Sequence, residues 1–253
     1  MRRISALAAV LAALGAVAAG CGGRDEAEPD AASSAPAVVA PVPARPAPRV
    51  IVPLPALVVP TGFRARRVPD AGAQVAVPLG WIALTRLDSL FPGTVQTLGG
   101  IDRRVVGTIA ALGVPDSPLK LLVLGPVRKS GFAATVTLMV ADAGRPQPYG
   151  AWLREATGAL IARSQVRGQV TTSHVTLPVG KAVRMHFRRL SRGAPVASVV
   201  YLSRGGGKAY YLALTSRRHE AGLTRAFDTL ARSLTVMPGL ESTARVTGQA
   251  KTA

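Results

Sequence analysis

The sequence is poor in cysteine, in aromatic residues and in long apolar runs, and each shortage excludes a class of protein. Cys21 is the only cysteine among 253 residues, so no internal disulfide can form. Aromatic residues make up 4% of the chain, which argues against a stacking platform for single-stranded nucleic acid. The uncharged run from Ile4 to Ala19 is shorter than the roughly 20 apolar residues of a membrane-spanning helix.

Acidic residues are also scarce, and the imbalance of charge is uneven along the chain. Residues 61–253 hold 26 Lys and Arg against 9 Asp and Glu, a net charge of +17, whereas the whole chain has +18. A field of this sign favours anionic partners such as lipid head groups or acidic wall polymers. The alternative is that most of these arginines form ordinary solvated faces.

The N-terminus has the features of an export signal. Arg2 and Arg3 precede the apolar run, which ends in Ala18-Ala19-Gly20-Cys21. This ending resembles the bacterial lipobox, with Ala18 where Leu is most usual. The resemblance implies cleavage before Cys21 and a diacylglyceryl thioether on its sulfur, with acyl chains such as palmitate. We therefore expect residues 1–20 to be a signal peptide and Cys21 to anchor the protein on the extracytoplasmic face of the cell membrane. Cleavage after Ala16-Val17-Ala18 and free secretion is the alternative.

The next segment is predicted to be a tether. Residues 21–60 contain nine prolines and no aromatic residue, and proline at this density blocks helices and sheet ladders and favours extended chain. We expect residues 21–60 to be disordered, residues 61–240 to form one folded domain and residues 241–253 to be a disordered tail.

Within residues 61–240, extended and helical patterns alternate in blocks. The runs Ala73–Pro78 and Trp81–Thr85 are predicted to form a hairpin. A helix is expected over Thr94–Leu112, two strands over Leu119–Leu124 and Ala133–Val140, and a second helix from Tyr149 to about Ser164. Short loops rich in Gly and Pro predict an antiparallel meander followed by a last helix over His219–Ser233; its four strands are Val170–Leu177, Lys181–Leu190, Val196–Ser203 and Lys208–Thr215. The predicted fold class is α+β, an antiparallel sheet flanked by helices.

Three features of this order are similar to the bacterial PsbP-like, LpqN-type lipoprotein family. They are the early Val75-Ala76-Val77-Pro78-Leu79-Gly80-Trp81 element, the strand and helix around Tyr149–Leu160, and the ending of three strands and a helix with Phe227. The resemblance covers about residues 62–238. It implies an α/β/α sandwich, a binding or assembly role and no enzyme activity.

The residues themselves propose no catalytic or metal site. Gly205-Gly206-Gly207-Lys208 lacks the Ser or Thr of a phosphate loop and precedes a strand. His174, His186 and His219 show no metal-ligand spacing, and no nucleophile motif is present. We therefore expect no enzyme, no cofactor and no metal. An envelope hydrolase or transferase with an unrecognised site is kept as an alternative.

Regular arginines provide the strongest remaining signal. Arg184 and Arg188 alternate with apolar residues on one predicted strand, and Arg218, Arg225 and Arg232 recur every seven residues around the last helix. Asp228, between Arg225 and Arg232, is expected to form part of a salt-bridge ladder with them. The sequence thus predicts an envelope binding module whose possible anionic contacts are Arg184, Arg188, Arg218, Arg225 and Arg232. A purely electrostatic binder of anionic polymer or lipid is the other alternative; nucleic acid is not expected, and the particular partner and the oligomeric state are left open.

Overall fold

The structure is a computed structural model that describes residues 57–86, 103–127, 132–144, 147–191 and 194–237. The residues predicted to form the signal peptide, the lipid anchor at Cys21, almost all of the tether and the tail lie outside the described residues. The predicted domain, by contrast, is described over most of its length.

Among the described residues, seven strands form the main sheet, and every pair of neighbours in it is antiparallel. Its order is β3-β4-β5-β9-β8-β7-β6. The strands are β3 (Ile82–Leu84), β4 (Leu119–Val127), β5 (Ala133–Asp142), β6 (Val166–Leu177), β7 (Gly180–Ser191), β8 (Ala194–Gly205) and β9 (Lys208–Ser216). The predicted meander is confirmed, because β6 to β9 are joined by short turns and lie side by side in chain order.

The predicted hairpin of Ala73–Pro78 with Trp81–Thr85 is wrong. The first run is β2 (Ala73–Pro78), which pairs with β1 (Phe63–Val68) and β10 (Thr235–Val236) in a separate three-stranded sheet. The second run contains β3, which pairs with β4 in the main sheet. Every residue of β2 is buried, because β2 is the central strand of this small sheet and lies between β1 and β10. Gly80, at φ +77°, allows the turn that takes the chain from one sheet to the other.

In the part of the chain that the structure describes, three helices cover the main sheet. They are α1 (Arg103–Gly113), α2 (Tyr149–Arg163) and α3 (Ala221–Ser233). The predicted first helix is confirmed from Arg103, and its proposed beginning at Thr94 lies outside the described residues. The last helix begins two residues later than predicted, so His219 belongs to the loop before it.

Two hydrophobic cores lie on opposite sides of the main sheet. Residues of α1 and α2, including Ile109 and Trp152, pack on one face. Residues of α3 and the small sheet, including Phe227 and Val75, pack on the other. The expected α+β fold, an antiparallel sheet between helical layers, is confirmed, with a small second sheet added beside α3. Among the described residues, no helix is long and apolar enough to cross a membrane.

Candidate anion-binding surface

Strand β7 divides its side chains between the two cores. Val183, Met185 and Phe187 face the core of α1 and α2, as the alternation predicts. The residues between them therefore face α3. There Arg184 meets Asp228: its Nε lies 3.2 Å from Oδ1 and its Nη2 lies 3.4 Å from Oδ2.

Tyr201 on β8 completes this contact. Its hydroxyl donates a hydrogen bond of 2.7 Å to Oδ1 of Asp228, and its ring centre lies 6.0 Å from the guanidinium carbon of Arg184. Burial and then the bond to Asp228 raise the pKa of Tyr201 to about 12. For Arg184, burial lowers the pKa, but the carboxylate of Asp228 outweighs it and the net change is upward. Arg184 therefore stays charged and Tyr201 keeps its proton. Their contacts with Asp228 hold α3 against the sheet.

This geometry changes the roles of two predicted residues. Arg184 is only 25% exposed and is held by Asp228, so it is a structural residue that also contributes charge. Asp228 points to β7, and among the described residues its ion pair is with Arg184 and not with Arg225 or Arg232. Sequence spacing along α3 suggests local pairing, but a carboxylate on the helix side that faces a strand pairs across the interface.

The other four predicted arginines are exposed. Arg188 lies four residues after Arg184 on the same face of β7, and Arg218 lies in the loop before α3. Arg225 and Arg232 stand three residues before and four residues after Asp228, hence on the side of α3 that approaches β7. The Arg184–Asp228 contact thus brings strand and helix arginines to one side of the sheet. We call this surface the basic flank: Arg184, His186, Arg188, Arg218, His219, Arg225 and Arg232.

Two histidines meet in the basic flank, although neither was predicted to be a site residue. The rings of His186 on β7 and His219 in the loop lie 4.4 Å apart between centres and are tilted by 46°. Nε2 of His186 is buried and has no hydrogen-bond partner in the part of the chain that the structure describes. Burial lowers the pKa of His186, and His219, Arg184 and Arg188 lower it further.

The strand alternation could have indicated that His186 lies beside Arg184. His219 could not be found in this way, because it is 33 positions further along the sequence and reaches His186 only through the path of the loop. The distance between these two rings depends on the tertiary fold, which spacing within one element does not encode.

An open cavity of about 190 Å³ lies beside the same loop. Pro126, Phe132 and Leu223 give it apolar walls, and Arg217, Arg218 and Glu220 line its polar side.

Within the described residues, no three His, Cys, Asp or Glu side chains come together in a way that could hold a metal ion. The chemistry of the surface is therefore that of guanidinium and imidazole groups, which donate hydrogen bonds to anions.

No family model matches this sequence, and no curated protein matches it. Solved structures do match. Cyanobacterial PsbP (CyanoP) from Synechocystis is 12% identical with a TM-score of 0.42, and the match covers 71% of this chain and 95% of that one. LpqN of Mycobacterium tuberculosis, described as involved in cell envelope biogenesis, is 16% identical with a TM-score of 0.41, over 66% and 83% of the two chains. The Ran-binding protein Mog1p of Saccharomyces cerevisiae is 10% identical with a TM-score of 0.42, over 69% and 95%.

Proposed function

We propose that this protein is an exported PsbP-like lipoprotein, anchored through Cys21, whose domain holds its basic flank against anionic material of the cell envelope without catalysing a reaction. Its partner is then the phosphate or carboxylate groups of lipids or wall polymers, or an envelope protein that presents them. Two features support the assignment to the PsbP-like lipoproteins: the Pro78-Leu79-Gly80-Trp81 element and the order of strands and helices.

The observation that carries the proposal is the exposure of Arg188, Arg225 and Arg232 around the Arg184–Asp228 contact. The nearest carboxylate of α3, Asp228, is engaged by Arg184 and Tyr201, which leaves the arginine charges around it available to an external anion. Each cationic residue near an anionic surface contributes about 1 kcal/mol of binding. Several of them on one side therefore add up to useful adhesion, provided that the anchor keeps the domain close.

The anchor is supported by the position of the single cysteine. Cys21 follows Ala18-Ala19-Gly20 at the end of the apolar run. Two acyl chains hold a protein stably in a bilayer, where one chain gives only marginal binding. The proline-rich residues 22–60 would then act as an extended spacer of up to about 120 Å at roughly 3 Å per residue.

Membrane fractionation tests the anchor. We expect Cys21→Ser to move the full chain from the membrane fraction to the soluble fraction at high salt, where electrostatic adhesion is screened. The matched control is Ser34→Ala, a substitution of similar size in the tether. A Cys21→Ser protein that stays in the membrane fraction at high salt would contradict anchoring through this residue.

A further inference from the structure

We propose that His186, His219 and Arg188 form a binding site for a single phosphate-sized oxyanion within the basic flank. This inference rests on the proposed function and makes it more specific, because it names the group that one part of the surface recognises. The ligand class is a phosphate monoester or diester, whether free or carried by a lipid.

The buried imidazole nitrogen is the first reason. Nε2 of His186 has lost its contact with water and has no hydrogen-bond partner among the described residues. A buried polar atom without a partner costs about 1–3 kcal/mol. A ligand that reaches this nitrogen when the exposed His219 ring turns aside, and accepts a hydrogen bond from the protonated ring, would recover this loss.

The sign of the local field is the second reason. The groups that perturb His186 are His219, Arg184 and Arg188, all of them cations or potential cations. From β6, the residue paired with His186 is Thr171, an exposed hydroxyl; from β8 it is Val199. The loop adds Arg217, Arg218 and Glu220, and α3 adds Arg225 beside the engaged Asp228. Cations therefore outnumber carboxylates around the ring, which favours an anion and disfavours a metal ion.

The ring pair is the third reason. At 4.4 Å between centres, His186 and His219 repel each other when both are protonated. The rings are in contact and leave no room between them, but an oxyanion seated beside both rings and Arg188 would offset this repulsion and accept hydrogen bonds from the rings. Arg184 is held by Asp228 and Tyr201 and its charge is offset by the carboxylate, so the positive charge that meets the ligand comes from Arg188 and the protonated rings.

Histidine titration by NMR tests the site directly, because the chain has three histidines. The sample is the full chain with Cys21→Ser, titrated in chloride and in inorganic phosphate at equal ionic strength. We expect phosphate to raise the titration midpoint of His186 by about one pH unit, as an adjacent opposite charge does. His174, exposed on β6, is the internal reference and should not move.

Variants separate a defined site from general screening. Arg188→Gln should abolish most of the phosphate-induced shift, whereas Arg154→Gln, which removes an exposed arginine of α2, should leave it intact. Dihexanoyl phosphatidylglycerol in place of phosphate shows whether a lipid diester reproduces the shift, and inorganic phosphate alone shows whether a free anion suffices; a shift with either probe supports the site.

Three results would overturn this proposal. They are an unchanged His186 midpoint with both probes, equal shifts in the Arg188→Gln and Arg154→Gln proteins, or a response of both rings to Zn²⁺ without any response to phosphate. Failure here is distinguishable from failure of the proposed function, because adhesion of the whole flank to anionic membranes does not require a shift at His186.

Discussion

At the residue scale, the carboxylate of Asp228 joins three secondary-structure elements. It accepts bonds from Arg184 on β7 and Tyr201 on β8 while it belongs to α3. We expect Asp228→Ala to lower the free energy of unfolding by about 1–3 kcal/mol, because it leaves a half-buried guanidinium and a buried hydroxyl without their acceptor.

Chemical denaturation of the two proteins measures this loss. Asp142→Ala is the matched control: its carboxylate pairs with Lys208 at 2.8 Å but is 78% exposed, so solvent screening limits the expected loss to about 0.5 kcal/mol or less. Equal losses in the two variants would show that the Asp228 contact adds no more than a surface ion pair.

His186 predicts a dependence of stability on pH. Its pKa is lowered in the folded protein by burial and by the cations around it, whereas the unfolded chain has the usual value of about 6.5. As the pH falls through this value, the unfolded chain takes up the proton first, so stability decreases until the lower folded pKa is passed. The unfolding free energy of wild type should therefore decrease relative to that of His186→Asn as the pH is lowered from 7.5 to 5 in a phosphate-free buffer. A difference that stays constant over this range would contradict the lowered pKa.

Trp81 is expected to be a packing residue. It is 8% exposed, and atoms of its ring lie 3.4 Å from the point that a Cβ on Gly125 would occupy, so the indole covers the glycine of β4. Trp81→Ala should lower the free energy of unfolding by about 3–5 kcal/mol through the cavity that it leaves. The neighbouring Ile82→Ala, at a residue 41% exposed, should cost less than about 1 kcal/mol. Similar melting temperatures for the two variants would rule out this role.

At the scale of elements, one hydroxyl joins α3 to the small sheet. Ser233 Oγ accepts a 2.7 Å bond from the backbone N–H of Ala76 and donates one of 2.7 Å to the carbonyl of Leu230. Among the described residues, strand β10 pairs with Gln74 and Ala73 of β2. Ser233 then provides the hydrogen-bond acceptor for Ala76, the next inward part of β2, which β10 does not reach.

We expect Ser233→Ala to cost about 1–3 kcal/mol, because it leaves a buried backbone donor without a partner. Thr229→Ala is the control on the same helix, since the exposed hydroxyl of Thr229 bonds only to the carbonyl of Arg225; it should cost under about 0.5 kcal/mol. Hydrogen exchange at Ala76 gives a second readout and should become faster in Ser233→Ala alone.

Elements with a strong local period could be predicted from sequence, and their partners could not. The meander could be predicted because its four extended runs are separated by short Gly- and Pro-rich turns. The pairing of β2 with β10 was missed because β10 is two residues long, too short for a period of two to show. Its Thr235 also lies 161 residues after Gln74, the residue with which it pairs on β2. Separation in sequence, here 33 positions, also hid the contact of His219 with His186.

At the scale of the whole molecule, the fold turns a diffuse excess of arginine into a directed surface. The layers place Arg154 on the α2 side and Arg188, Arg225 and Arg232 on the α3 side. The charge total could be read from the sequence; which arginines share a side could not, because it depends on how α3 packs on β7. The Arg184–Asp228 contact shows which side of α3 packs on β7, and hence which arginines share a side.

Vesicle sedimentation tests the adhesion of the basic flank most directly. The full chain with Cys21→Ser is mixed with phosphatidylglycerol-containing or pure phosphatidylcholine vesicles at low and high salt. We predict binding to the anionic vesicles alone, weakened by salt as the Debye length shrinks. The triple variant Arg188→Gln, Arg225→Gln, Arg232→Gln should bind about 100-fold more weakly, at about 1 kcal/mol for each arginine, whereas Arg154→Gln should bind within about twofold of the parent. Equal binding to both vesicle types, no effect of salt, or equal losses in the triple variant and Arg154→Gln would contradict the account.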